Sequence, residues 1–246
     1  TRVARLIGAD ADEIIFTSGA TEANNLGLLG LCRRAAGGHR RRVLVSAIEH
    51  KCVLAVGGVL QEQLGYEVEY IPVDAAGSVE MSTLQEALAD DVLVVSVMAV
   101  NNEIGTIQDI PTISQAVREV GALLHCDAAQ APRAMDLRGF SDLVDLLSLS
   151  SHKMYGPQGI GALFILRDLQ DRIEPLIYGG GQQRTLRSGT VPVALCVGMG
   201  SAATLLDSHG GKEQREALCA RRNAFVRRVM SLSWPIIMNG PECQQR

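Results

Sequence analysis

The run Val92-Leu93-Val94-Val95-Ser96-Val97-Met98 decides the fold. It is rich in β-branched residues and apolar at both alternating sets of positions. A strand of that kind must be covered on both faces, as at the centre of a parallel sheet flanked by helices. Read as a strand, it extends from Val92 to Val100. Working outward, further short runs predict strands at Glu13–Phe16, Val43–Ser46, Glu67–Val73, Ala122–Cys126, Leu146–Leu149 and Gly161–Leu166. Helical patterns fill the gaps. Ser82-Thr83-Leu84-Gln85 has the spacing of a capping box, and Pro111 suits the first turn of a helix running to Val120. Such alternation implies an α/β sheet with right-handed crossovers, whose ligands sit beyond the carboxyl ends of the strands.

The texture changes after Val191. Pro192–Leu206 reads as a helix rich in small residues, Lys212–Ser231 as a long charged helix, and Trp234–Met238 as the beginning of a strand. The expected division is a large domain over residues 1–190, extendable to about 206. Residues 207–246 would then be a connecting helix and the incomplete start of a small α+β domain. The first residue is Thr1 rather than Met, in a helical pattern, so the sequence reads as a fragment.

At 246 residues and 47% hydrophobic content, the chain has enough apolar surface for a full core. A net charge of −4 without a long basic stripe argues against nucleic acid as a partner. The one basic run, His39-Arg40-Arg41-Arg42, reads as a solvated loop, with an anionic partner as the alternative. Six cysteines (Cys32, Cys52, Cys126, Cys196, Cys219 and Cys243) show no metal-ligand spacing. Together with the lack of a secretory segment, this predicts reduced thiols in a cytoplasmic compartment. No apolar stretch reaches membrane-spanning length free of polar breaks, so no membrane partner is expected.

Two predicted strand ends carry reactive groups. Leu149-Ser150-Ser151-His152-Lys153-Met154-Tyr155-Gly156-Pro157 follows one, and His125-Cys126-Asp127-Ala128-Ala129-Gln130 closes another. A lysine able to form a Schiff base, with an aspartate and a glutamine nearby, is what pyridoxal 5'-phosphate demands. The amine holds the aldehyde, and a carboxylate facing the pyridine nitrogen keeps it protonated. Thr17-Ser18-Gly19-Ala20-Thr21-Glu22, between a strand and a helix, offers backbone N–H groups to an anion, although it is also an ordinary turn. Ser150 and His152 would add donors to the same phosphate. His50, after a strand end, could stack on the ring and carry protons, or be a plain surface residue. His125 and Cys126 read as core. Asn101-Asn102-Glu103-Ile104-Gly105 suits either a contact to a ring oxygen or turn chemistry. Gly179-Gly180-Gly181-Gln182-Gln183-Arg184 and Arg187-Ser188-Gly189-Thr190 read as a flexible polar loop, a linker or an anion contact.

With these motifs in place, the chain resembles the cysteine desulfurases of the NifS/IscS group, within class V of the fold-type I pyridoxal-phosphate enzymes. The matching segments, in order along nearly the whole chain, are T-S-G-A-T-E-A-N-N, E-H-K, V-N-N-E-I-G-T-I-Q-D-I, H-C-D-A-A-Q, S-S-H-K-M-Y-G-P-Q-G-I-G-A-L, G-G-G-Q-Q-R and R-S-G-T-V-P. The resemblance implies a three-layer α/β/α domain with a mostly parallel seven-stranded sheet, its last strand antiparallel. It puts the cofactor linkage on Lys153, the ring-nitrogen partner on Asp127 and the phenol-oxygen partner on Gln130. Asn102 would lie beside the ring oxygen and His50 over the ring. Ala20, Thr21, Ser150 and His152 would hold the phosphate, and Thr190 would reach the phosphate of the neighbouring subunit in a homodimer.

The activity so implied is removal of sulfur from L-cysteine, giving alanine and an enzyme persulfide that feeds a sulfur acceptor or iron–sulfur scaffold protein. Alternatives are a selenocysteine lyase, another class V aminotransferase-like enzyme, or a non-catalytic pyridoxal-phosphate-binding fragment. The sequence departs from the family pattern in three respects, the first being that the family's first segment, before its phosphate loop, is missing. The persulfide cysteine and the substrate-carboxylate arginine are both expected beyond residue 246. Cys243 comes too early and lacks the expected small-residue surroundings.

Overall fold

The computed structural model describes residues 1–242, so Cys243 lies outside the described residues. The elements run α1 (Arg2–Ile7), β1 (Ile14–Thr17), α2 (Ala20–Arg34), β2 (Arg42–Ser46), α3 (Lys51–Leu64), β3 (Glu67–Ile71), α4 (Met81–Ala87), β4 (Val92–Ser96), α5 (Ile110–Glu119), β5 (Leu123–Asp127), α6 (Ala131–Ala134), β6 (Leu146–Ser150), β7 (Gly161–Ile165), α7 (Val193–Leu206) and α8 (His209–Met230). The seven strands form one sheet in the order β1-β7-β6-β5-β4-β2-β3. Only β7 runs against its neighbours; the other pairings are parallel.

Strand alternation divides the core into two layers. Val43, Val45, Val94 and Leu163 face α2 and α3, meeting Leu26, Leu31, Val56 and Leu60. Leu44, Val95, Leu124, Leu149 and Phe164 face the other way, against Leu6 of α1, Ile113 and Val117 of α5, and Met199 of α7. Each fully buried side chain of this size contributes roughly 1.5–3 kcal/mol. β4 is buried at every position, as its two-sided apolar pattern requires. Its register against β2 slips by one residue: Arg42 pairs with Val92, but Val43 pairs with Val94. Leu93 is the extra residue of a bulge.

Two strands stop earlier than the apolar runs predict. β3 ends at Ile71 because Pro72 has no N–H to continue the ladder; Val73 makes only an isolated bridge to Val79. β4 ends at Ser96, which pairs with Val45, one residue before β2 ends at Ser46. Beyond it the buried Glu49 carboxylate takes the Met98 N–H in place of a strand partner. α4 also corrects an expectation. It starts at Met81 with Glu80 as its N-cap, so Ser82 is already helical and the capping box does not form. Pro111 does occupy the first turn of α5, whose N-cap Asp109 accepts from the Thr112 N–H at 3.3 Å.

Within the basic run His39 is exposed, but the three arginines are held by their own chain. Arg40 donates to the carbonyls of Val92 (2.6 Å) and Val120 (2.9 Å). Arg41 donates to Leu64 and Gly65 and stacks 4.8 Å from the Tyr66 ring centre. Arg42 pairs with Glu69 at 2.6 Å and Asp91 at 3.2 Å and reaches the Ala87 carbonyl at 2.9 Å. These side chains tie the base of the sheet to the loops beneath it.

Past α7 the packing thins. Along the 22 residues of α8, only Gly211 is buried. Trp234–Met238 forms no strand, because none among the described residues lies alongside to offer it a ladder; Trp234 and Ile237 are exposed. Among the described residues, no helix is long and apolar enough to cross a membrane.

Candidate active site

The carboxyl ends of the parallel strands open into a cavity of about 500 Å³. Ala20, Thr21, His50, Asn102, Asp127, Gln130, Ser150, His152 and Lys153, from five separate stretches of chain, line it together. Thr190 does not; it is exposed and outside the cavity.

The floor begins at the turn from β1 into α2. Gly19 precedes the helix, and the first-turn N–H groups of Ala20 and Thr21 have no partner within the helix. The turn is braced from several sides. Thr17 Oγ1 donates to the Gly19 carbonyl at 2.9 Å, and the Glu22 carboxylate accepts the Ser18 N–H at 2.7 Å. Burial pushes Glu22 up, but hydrogen bonds from Arg187 and Ser18 outweigh it and hold the carboxyl below its ordinary value. The Arg187–Glu22 pair, at 2.8 Å, neutralises a carboxylate that would otherwise repel an anion at this helix end. β7 runs directly beneath. A Cβ on Gly161 would lie 2.6 Å from both the Gly19 Cα and the Leu149 carbonyl oxygen, so only glycine admits this approach.

Lys153 sits on a tight 3₁₀ turn, Ser151–Met154, that leaves β6. The turn is anchored by the fully buried Met154 and closed by Tyr155, a non-glycine residue held at φ 68°. The Arg133 guanidinium stacks 4.9 Å from the Tyr155 ring centre. Among the described residues, no carboxylate pairs with Lys153, so its amine is left to the cavity. Ser150 Oγ and His152 Nδ1, 3.2 Å apart, lie beside it.

Asp127 ends β5 and is 4% exposed. Its Oδ1 accepts the Ala129 N–H at 2.9 Å, and its Oδ2 accepts Asn24 Nδ2 at 2.7 Å. Burial raises its pKa; those two hydrogen bonds and the nearby His50 oppose the shift. No lysine or arginine among the described residues compensates it, although it borders the cavity. Glu49, also buried, is pushed well above the carboxylate range by burial and then by the charge of Asp127.

His50 is the N-cap of α3, and its Nδ1 accepts the Cys52 N–H at 3.2 Å. The adjacent amides divide the two readings of their sequence between them. Asn101 is the turn residue: its Oδ1 accepts from the N–H groups of Glu103 and Ile104, both at 2.9 Å, and its Nδ2 donates to the Ile48 carbonyl at 3.0 Å. Asn102 is left facing the cavity. His125 is a core residue, between Ser96 Oγ at 2.8 Å and Ser148 Oγ at 3.3 Å, and burial lowers its pKa to about 3.

The glycine-rich loop differs from the expected flexible segment. Gln183 bonds both backbone groups of Phe16 on the outer edge of β1, accepting its N–H at 2.6 Å and donating to its carbonyl at 2.8 Å. Arg184 donates to the Asp12 carbonyl at 2.6 Å and to Gln170 at 2.8 Å, and Arg187 holds Glu22. Polar side chains thus tether the loop to its own chain, where the sequence shows only glycines and polar residues. Sequence reasoning also passed over Asn24, Glu49, Cys52 and Glu22 as individuals. The available signal was a polar residue such as Asn24 within the otherwise apolar middle of α2.

The profile of the aminotransferase class-V family matches residues 1–245. The chain belongs to that family, whose members are pyridoxal-phosphate-dependent enzymes. It is 47% identical over 207 residues to the cysteine desulfurase IscS of Rickettsia felis, covering 83% of this chain and 50% of that one. Among solved structures, DndA from Streptomyces lividans superposes with a TM-score of 0.86 at 36% identity, covering 98% of this chain and 67% of that one. SspA in complex with cysteine superposes with a TM-score of 0.82 at 37% identity, covering 94% and 64%. The chain spans about half the length of the curated relatives it matches.

The donor set fits the family cofactor. A buried, uncompensated carboxylate suits a protonated ring nitrogen, and an unpaired lysine amine suits an aldehyde. Free helix-end N–H groups beside Thr21, Ser150 and His152 suit a phosphate.

Proposed function

We propose that this chain carries the pyridoxal-phosphate site of a cysteine desulfurase, which removes sulfur from L-cysteine, leaves alanine and passes the sulfur onward for iron–sulfur cluster assembly. The observation that carries the reading is the meeting of Lys153, Asp127, His50 and the β1–α2 turn around one cavity of about 500 Å³. Lys153 would hold the cofactor covalently, Asp127 its ring nitrogen, and Gln130 and Asn102 its ring oxygen. Ala20, Thr21, Ser150 and His152 would hold the phosphate. When bound, the cofactor supplies an electron sink for the substrate carbon. His50 would cover the ring and carry a proton at its cavity-facing side.

Residues 1–190, extended to about 206 by α7, form the cofactor domain, and residues 207–246 lead into a second unit. The working unit is a homodimer in which Thr190, exposed and outside its own cavity, completes the phosphate site of the neighbour. Cys32, Cys52, Cys126, Cys196 and Cys219 are free thiols, which supports a reducing, cytoplasmic setting.

Borohydride reduction followed by peptide mapping tests the cofactor assignment. The label is expected on Lys153 and absent from Lys153→Ala; a label persisting in that variant removes Lys153 from the role. L-cysteine added to the loaded protein should perturb the cofactor's visible absorbance at concentrations where L-aspartate does not. Equal responses would place the activity elsewhere in the family.

A further inference from the structure

Asn24, Cys52 and His50 form a directed hydrogen-bond line that starts at Asp127. Asn24 is fully buried on the cavity side of α2. One proton of its Nδ2 goes to Asp127 Oδ2 at 2.7 Å and the other to Cys52 Sγ at 3.2 Å. An ionised carboxylate only accepts, so Asp127 fixes which way the Asn24 amide points; its Oδ1 is left buried without a partner. Because Sγ accepts from Asn24, and from the Thr21 hydroxyl as well, its own S–H is free to donate. His50 Nδ1 lies 3.0 Å from Sγ and already accepts the Cys52 backbone N–H. A ring nitrogen that accepts from an N–H carries no proton of its own, so the thiol is the donor in the Sγ–Nδ1 contact.

We propose that Cys52 is a positioning residue: with Asn24 it links Asp127 to His50, fixing the imidazole ring and keeping its proton on Nε2. Among the described residues, Nε2 has no hydrogen-bond partner, so the proton is held at the ring nitrogen left for the cavity. Burial raises the Cys52 pKa, consistent with a thiol that stays protonated and donates. Position and partners, rather than nucleophilicity, therefore define this cysteine. The consequence for catalysis rests on the reading of His50 given above, but the hydrogen-bond line does not.

Nitrogen-15 NMR of the His50 side chain in the 246-residue protein, with and without pyridoxal phosphate, tests the proposal. The native protein and Cys52→Ser, which keeps a donor of similar reach, should both carry the proton on Nε2. Cys52→Ala leaves the backbone N–H as the one remaining donor to Nδ1, so the minor Nδ1–H form, which gives up that bond, should rise about three- to tenfold, as expected for loss of one weak donor. A Cys52→Ala spectrum indistinguishable from native overturns the proposal. So does a proton on Nδ1 in the native protein, a result that depends on no variant folding. Neither result bears on Lys153, which the borohydride label reports separately.

Discussion

The two ends of the sheet both carry charged side chains but use them oppositely. At the base, Arg40, Arg41 and Arg42 end on carbonyls and carboxylates of their own chain. At the mouth, Lys153 has no carboxylate partner and Asp127 no cation among the described residues. Both arrangements involve desolvated charge. The base is compensated internally, so its charges act as structure. The mouth leaves its charges to an external partner, so the cofactor-free protein carries a cost that binding would relieve.

Substitution at the mouth should therefore change binding first, and substitution at the base stability first. The largest effect is expected at Asp127. Asp127→Asn removes a charge-assisted contact to the cofactor ring, so pyridoxal phosphate affinity should fall about 10- to 100-fold. The melting temperature of the cofactor-free protein should not fall with it, because a buried uncompensated charge is also removed. A parallel fall in both would make Asp127 a structural residue like those at the base.

Gly161→Ala comes next, since it sits below the phosphate turn but in the packed sheet. The 2.6 Å approach of its Cβ to Gly19 and Leu149 has to be relieved by backbone movement, at about 1–3 kcal/mol. Denaturant unfolding should register that loss, and phosphate affinity should drop with it. Unchanged phosphate affinity would show that the turn tolerates displacement.

At the base, Arg42→Ala removes contacts to Glu69, Asp91 and the Ala87 carbonyl. A loss of about 1–2 kcal/mol is expected by denaturant titration, with cofactor affinity within error of native. Altered affinity would break the division between the two ends.

The smallest effect concerns pH. Because burial raises the folded-state pKa of Glu49, the folded protein holds a proton that the unfolded chain has already released. Its contribution is complete below the ordinary carboxylate pKa and is lost as pH rises through the raised value. Glu49→Gln keeps the acceptor for the Met98 N–H and has no proton to lose. Its melting temperature should therefore fall less than native between acidic and alkaline pH. Parallel pH profiles would mean that Glu49 is not the titrating group.

Much of the fold was legible because β-branched apolar runs have few alternatives in water. Val92–Met98 forced a strand covered on both sides, and the strand–helix alternation then limited the topology. Strand ends were less legible, since a run such as Val97–Val100 stays apolar after it has left the β2 ladder, bonding among the strands only to β5. Trp234–Met238 shows the same limit: its residues suit a strand, but a ladder needs a second strand. The arginines at the base misled for a related reason, because a basic run looks alike whether it ends in water or on carbonyls.

By itself, then, the sequence determined the strand–helix order, the family, and about half of the residues that line the cavity. Side-chain period and motif spacing are local properties, written within a few residues of each other. Only the tertiary structure decided which charges would find partners. It set Arg187 against Glu22 across 165 positions, closed the β1 edge with Gln183, and made Asn24 the link between Asp127 and Cys52. A hydrogen bond depends on distance and direction in space, and for groups this far apart in the chain both exist only once the sheet has brought the elements together.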